Sequence, residues 1–159
     1  EQAGVTDAGA KALAAAPSMA LRQLYLSANG ITGDGVAALM ASPVTKELDY
    51  LRLNMNPIGD VGARAIAEQG SKGLTILFLE RTEITDAGFS ALVDSPRLAS
   101  LDWLALGRNE LTSEAVGALV DPAKLPALTT LEVDAKAVDD ALLAKLKVAR
   151  PGLKVSAQR

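Results

Sequence analysis

LTILFLERTEITDA, residues 74–87, is one copy of a frame that returns along nearly the whole chain. Written LxxLxLxxTxI, it holds Leu74, Leu77, Leu79 and Ile84 at fixed spacing. The frame recurs as LRQLYLSANGI from Leu21, LDYLRLNMNPI from Leu48, LDWLALGRNEL from Leu101 and, more weakly, LTTLEVDAKAV from Leu128, in steps of 27, 26, 27 and 27 residues. A period in this range means stacked supersecondary units, each able to bury its apolar face only against its neighbours.

Composition is compatible with a single stacked domain. The chain has 159 residues, 49% of them hydrophobic, enough to bury one continuous core. A balance of 16 basic and 19 acidic residues, net charge -3, marks no nucleic-acid partner. No apolar run approaches the roughly 20 residues that cross a bilayer, so no membrane partner is expected. The chain has no cysteine and no histidine. Disulfides, thiolate metal sites, imidazole bases and Ser-His or Cys-His nucleophiles are therefore unavailable, and neither a metal nor a cofactor is expected.

Residues 1–20 align with the second half of a unit, Val5 matching Ile31, Ile58 and Ile84. Thr6 caps a helix expected over 7–16, with Asp7 in the favourable first turn and Pro17 discouraging continuation. The strand of that unit is missing, which leaves the Leu24–Leu26 strand as an exposed edge and suggests a native protein longer at its N-terminus. Full units follow at 21–47, 48–73, 74–100 and 101–127, each with a short LxL strand and then a turn at Asn29, Asn56, Thr82 or Asn109. An amide there can donate to and accept from the backbone of adjacent coils; Thr82 can do part of this. Helices follow at ITGDG, IGDVG, ITDAG and LTSEA, with Val36 and Leu39, Ala63 and Ile66, Phe89 and Leu92, and Val116 and Leu119 facing inward. Gly35, Gly62 and Gly88, with Ala115 in the same place, allow close approach, and Pro43, Pro96 and Pro122 begin short polar linkers. The last unit, 128–159, departs from the frame with Lys136 at the Asn position, a helix over 139–149 and a final strand from Leu153 to Val155, and reads as a C-terminal cap.

The frame LxxLxLxxNxIxxxGxxxL, seen as LRQLYLSANGITGDGVAAL, resembles the leucine-rich repeat, specifically its ribonuclease-inhibitor-like subclass, and the Ala-rich ITDAG copies are similar to bacterial members. The resemblance implies an α/β solenoid, a right-handed horseshoe arc with parallel strands on the concave face and helices on the convex face. It also implies a non-enzymatic module that binds another protein through the concave face.

Strand alternation identifies which residues face outward. One row reads Gln23, Tyr50, Ile76, Trp103, Thr130; the other reads Tyr25, Arg52, Phe78, Ala105, Glu132. Four of the five aromatics of the chain lie in these rows, and the fifth, Phe89, falls on a helix. Tyr50, Ile76 and Trp103 are expected to form an apolar strip beside Phe78, with Arg52 between Tyr25 and Phe78 for a cation-π contact. Glu80, Arg81, Glu83, Arg108, Glu110 and Asp134 supply a charged rim. An aromatic centre with Arg and a polar rim is hot-spot composition, so Tyr25, Tyr50, Arg52, Ile76, Phe78, Glu80, Arg81, Trp103 and Arg108 are the candidate residues for binding a protein partner. Aromatics also suit a pleated sheet for its own sake. Carboxylates at Glu80, Glu83, Asp102 and Glu110 on a shallow open face have no desolvated pocket to tune them, which argues against catalysis. The other reading is a structural or assembly segment that uses the N-terminal sheet edge or the convex helices; the chain is expected to be monomeric unless that edge pairs.

Overall fold

The computed structural model describes residues 4–16 and 20–158. Strands β1 (Gln23–Tyr25), β2 (Tyr50–Arg52), β3 (Ile76–Phe78), β4 (Trp103–Ala105), β5 (Thr130–Asp134) and β6 (Lys154–Gln158) form one sheet in sequence order. Every neighbouring pair is parallel. Between them run α1 (Asp7–Ala14), α2 (Gly33–Ala41), α3 (Gly59–Gln69), α4 (Asp86–Val93), α5 (Ser113–Val116) and α6 (Asp140–Ala149). This is an α/β solenoid of the kind that the leucine-rich-repeat resemblance implies. Strands sit about 4.8 Å apart while packed helices need about 8–10 Å, so the sheet takes the concave side.

The frame leucines are the core. Leu51, Leu53, Leu77, Leu79, Leu104 and Leu131 are fully buried, as are Ile31, Ile84, Val36, Leu39, Ile66, Phe89, Leu92, Val116 and Leu119 from the turns and helices. Each such side chain contributes roughly 1.5–3 kcal/mol of burial. Register places Leu24, Leu51, Leu77, Leu104, Leu131 and Val155 in one row across the sheet.

Local details differ from the sequence reading. Helix α1 stops at Ala14, two residues short of the expected end, and Thr6 stands at its N-cap without a side-chain cap bond; Pro17 lies outside the described residues. Helix α5 is a single turn that continues as a 3-10 segment, Gly117–Val120. The linkers after α2 and α4 are not merely polar: each is a 3-10 turn begun by Pro43 or Pro96, and they bury Val44 and Leu98 because the solenoid wall needs apolar filling there too. Strand β6 begins at Lys154, so Leu153 precedes it, and Asp139 caps α6 through a bond from Leu142 N–H at 2.7 Å.

Candidate protein-binding face

The face of the sheet turned away from the helices is built by the register itself. Gln23, Tyr50, Ile76, Trp103 and Thr130 align across the strands, as do Tyr25, Arg52, Phe78, Ala105 and Glu132. Both rows are those read from strand alternation. The rings, however, do not follow a row. They meet diagonally as Tyr25 on Tyr50 (4.7 Å, stacked), Tyr50 against Phe78 (5.7 Å, edge-on) and Phe78 against Trp103 (5.2 Å, edge-on). Aromatic rings favour such offset and edge-to-face contacts at these separations. The expected straight strip is therefore a zigzag, with Ile76 half-buried in the row between Tyr50 and Trp103.

Arg52 lies over Phe78, its Cζ 5.4 Å from the ring centroid, while its Nε is buried without a hydrogen-bond partner. Its expected place between two rings holds for Phe78; Tyr25 is instead stacked on Tyr50. Burial pushes the Tyr50 phenol up from its ordinary value, opposed by the nearby Arg52 guanidinium. Trp103 Nε1 donates to Glu132 Oε1 at 2.9 Å, which fixes the indole. Ala105 belongs to an outward row but is 0% exposed, because its methyl lies between the larger Phe78 and Glu132 side chains aligned with it. Tyr25, at 53%, is the most open ring.

Of the charged candidates, Glu80 is tied to the sheet: Asn54 Nδ2 donates to its Oε2 at 2.6 Å and its own N–H donates to Asn54 Oδ1 at 3.0 Å. Arg81 and Arg108 sit past the strands in left-handed backbone, φ 54 and 59, exposed on the turn rim, with no ion pair among the described residues. Ala28 and Met55 hold the same place and the same backbone in the two earlier coils. Thus Tyr25, Tyr50, Arg52, Ile76, Phe78 and Trp103 are brought together, Glu80 borders them, and Arg81 and Arg108 form a separate rim.

The turns beneath this face hold the coils to one another. Asn56 Oδ1 accepts from Ile31 N–H at 3.1 Å and its Nδ2 donates to Leu26 O and Leu53 O. Asn109 accepts from Thr82 N–H and Ile84 N–H and donates to Leu79 O and Leu106 O. The Thr82 hydroxyl keeps the bond to Leu79 O, at 2.7 Å, and also reaches Asn109 Oδ1, at 3.2 Å; Ile58 N–H turns to Asn56 O instead, and Gly59, at φ 54, donates to Thr82 O.

A second link across coils was missed in the sequence. Asp7 accepts from Thr32 N–H (2.8 Å) and Thr32 Oγ1 (2.6 Å), Asp60 does the same for Thr85, and Asp86 for Thr112. The acids read as helix-dipole partners thus also clasp the next coil. The recurring Thr-Asp of VTD and ITD was the signal available. Gly35 and Gly88 make room for the clasp, since a Cβ at either would stand 2.3 or 2.4 Å from the Asp7 or Asp60 oxygen. Between the coils starting at Leu21 and Leu48 the clasp is absent: Gly33 and Gly59 replace its acid and its threonine, and a Cβ at Gly33 would meet Val61 Cβ at 2.7 Å.

Among the described residues no group of three or more potential metal ligands exists, and no helix is long and apolar enough to cross a membrane. The family model described as "Leucine Rich repeat" matches residues 18–40 and 48–67. A solved internalin (InlF) from Listeria monocytogenes str. 4b F2365 superposes with a TM-score of 0.56 at 22% identity over 87% of this chain. The chain spans 35% of that internalin's length. No curated protein matches it in sequence.

Proposed function

Taking the chain as a leucine-rich-repeat protein, we propose that it is a non-enzymatic interaction module that engages a protein partner with the concave face of its sheet. The observation that carries this reading is the zigzag Tyr25–Tyr50–Phe78–Trp103: these rings lie on the outward face of the sheet, apart from the buried core. Half-buried aromatics with an adjoining Arg and a polar margin resemble hot-spot surfaces, where a few residues dominate affinity. Arg52 and Glu80 border the rings with opposite signs, which favours a partner with an apolar centre and charges of both signs at its edge. Helices in the coils and steps of 26 or 27 residues support the ribonuclease-inhibitor-like subclass, and the Ala-rich copies support a bacterial type. Residues 1–159 form one repeat domain on this reading.

The test compares wild type with Tyr50→Ala/Trp103→Ala and, as a control on the helix side, Arg64→Ala/Glu68→Ala in affinity capture, followed by titration of the captured protein. Loss of at least tenfold in affinity is expected for the sheet-face variant alone. Equal affinity for all three folded proteins would remove the sheet face from consideration.

A further inference from the structure

The zigzag of rings encloses a cation that the protein leaves unpaired. Glu80, Glu132 and Asp134 follow the outward spacing along the strands, and each carboxylate meets a donor of the protein: Asn54 Nδ2, Trp103 Nε1 and Arg108 N–H respectively. Arg52 makes no ion pair among the described residues, and its Nε is buried without a hydrogen-bond partner. Other arginines of the chain bind the fold's own carbonyls, Arg97 that of Gly70 and Arg150 those of Lys124 and Leu125. Arg52 meets a ring instead.

Aromatic residues are its neighbours both along and across the strands. Register aligns Arg52 with Tyr25 on one side and Phe78 on the other, and Tyr50 stands two residues before it on β2. Burial raises the pKa of the Tyr50 phenol, so at neutral pH this neighbour brings the guanidinium a hydroxyl and no charge. Half-buried and seated over Phe78, the guanidinium is held in place and partly stripped of water. In such surroundings a charge-assisted bond is stronger than on an open surface, and the fork of N–H donors matches the two oxygens of a carboxylate.

We infer that Arg52 is the specificity-determining residue of the sheet face, and that it takes from the partner protein the carboxylate of an Asp or Glu flanked by large apolar side chains. The inference rests on the sheet-face reading above and narrows it. Of the two signs that border the rings, Glu80 is already engaged by Asn54 through two bonds, so the charge left to recognise a partner within the zigzag is positive. The flanking chemistry follows from the rings. Neighbouring residues stand about 4.8 Å away across the strands and about 6.6 Å away along them, and side chains two apart in an extended segment share one face. An extended segment crossing the zigzag therefore carries its large apolar side chains two residues before and after the acid, where they lie on Tyr25, Tyr50 or Phe78.

A phage-displayed library of random linear peptides, selected on wild type and counter-selected on Tyr50→Ala/Trp103→Ala, supplies the probes. Synthesised copies of the enriched peptides are then titrated calorimetrically, with circular dichroism to confirm that every variant folds. Enriched peptides are expected to carry Asp or Glu with apolar residues at that spacing. Arg52→Gln is expected to lower their affinity about tenfold or more, as loss of a hydrogen bond between charged groups does, and Arg52→Lys to keep part of it. Replacing the peptide's acid by its amide is expected to cost wild type the same factor and to cost Arg52→Gln less than about twofold, because the two changes remove one interaction. Enriched peptides without an acid overturn the inference and leave the sheet-face reading in place. So does an acid whose replacement costs Arg52→Gln as much as it costs wild type. A selection that yields no peptide able to tell wild type from Tyr50→Ala/Trp103→Ala removes the sheet face itself, and the inference with it.

Discussion

At the residue scale, the carboxylates that clasp the next coil carry a pH dependence. Burial raises the Asp60 pKa, but the Thr85 N–H and hydroxyl and the Gly88 N–H, with Arg64 nearby, outweigh it and hold the group below its ordinary 3.8. Asp7 is lowered too, first by the Thr32 hydroxyl and then by the Thr32 N–H. A depressed carboxylate stabilises the fold fully above its unfolded pKa, and the contribution disappears as pH falls through the folded pKa. Urea midpoints are therefore expected to fall as pH drops below about 4, and Asp60→Asn to lower the midpoint at pH 7 while flattening its decline in acid. An unaltered pH slope in that variant would mean that other carboxylates govern acid unfolding. This clasp also marks the limit of sequence reading. Thr82 shows as a departure from Asn in its own coil, but the compensation by Asn56 O and Gly59 involves a turn in the preceding coil, which periodicity alone does not display.

At the element scale, strand positions are the most legible part of the chain, because a two-residue alternation repeated at each LxL leaves one register that buries every leucine. Both outward rows follow from it; the diagonal course of the rings does not, since that depends on the rotamers that Tyr50 and Phe78 adopt over a curved sheet. Helix starts are legible from Thr and Asp, whereas α5 breaks into a 3-10 segment at Gly117–Val120 with no such signal. The small residue near each helix start has a specific steric duty. A methyl at Gly88 would lie 2.4 Å from Asp60 Oδ1 and 3.1 Å from Ala63 Cβ. Gly88→Ala is thus expected to cost about 1–3 kcal/mol despite the better helix propensity of Ala. In an Asp60→Ala background the same change is expected to cost less, and a double-mutant cycle with coupling below about 0.5 kcal/mol would refute the steric link.

At the scale of the whole molecule, the joins between coils differ in their polar links. Of the turn amide and the clasp, the first join has both, through Asn29 and Asp7; the second has the amide, through Asn56; the third has the clasp, through Asp60, beside the Asn54–Glu80 pair; and the fourth has both, through Asn109 and Asp86. The fifth, before β5, has neither, for Lys136 and Ser113 stand where Asn and Asp would. Across it run Trp103 Nε1 to Glu132 and Arg108 N–H to Asp134 at the sheet, and Arg150, buried at the end of α6, whose Nη1 donates to Lys124 O (2.9 Å) and Nη2 to Leu125 O (2.6 Å). Burial pushes this guanidinium's pKa down, so it depends on those carbonyls. Arg150→Met is expected to reduce hydrogen-exchange protection selectively in α6 and β6, leaving β2 to β4 unchanged; a uniform loss across the sheet would mean that the array opens only as a whole. No sequence frame reveals Arg150, since it lies outside the repeat.

The unequal joins have a mechanical consequence. Pulled from its two ends, the solenoid loads its joins in series, like links of a chain under one tension. Its extension should then be stepwise. The join that lacks both amide and clasp is expected to part first, the joins on either side of the coil at Leu48, with one of the two links each, next, and the joins with both last. The coils joined at Asn29 and at Asn109, each held by both amide and clasp, would be the last to yield, and the second pair carries Phe78 and Trp103 with it.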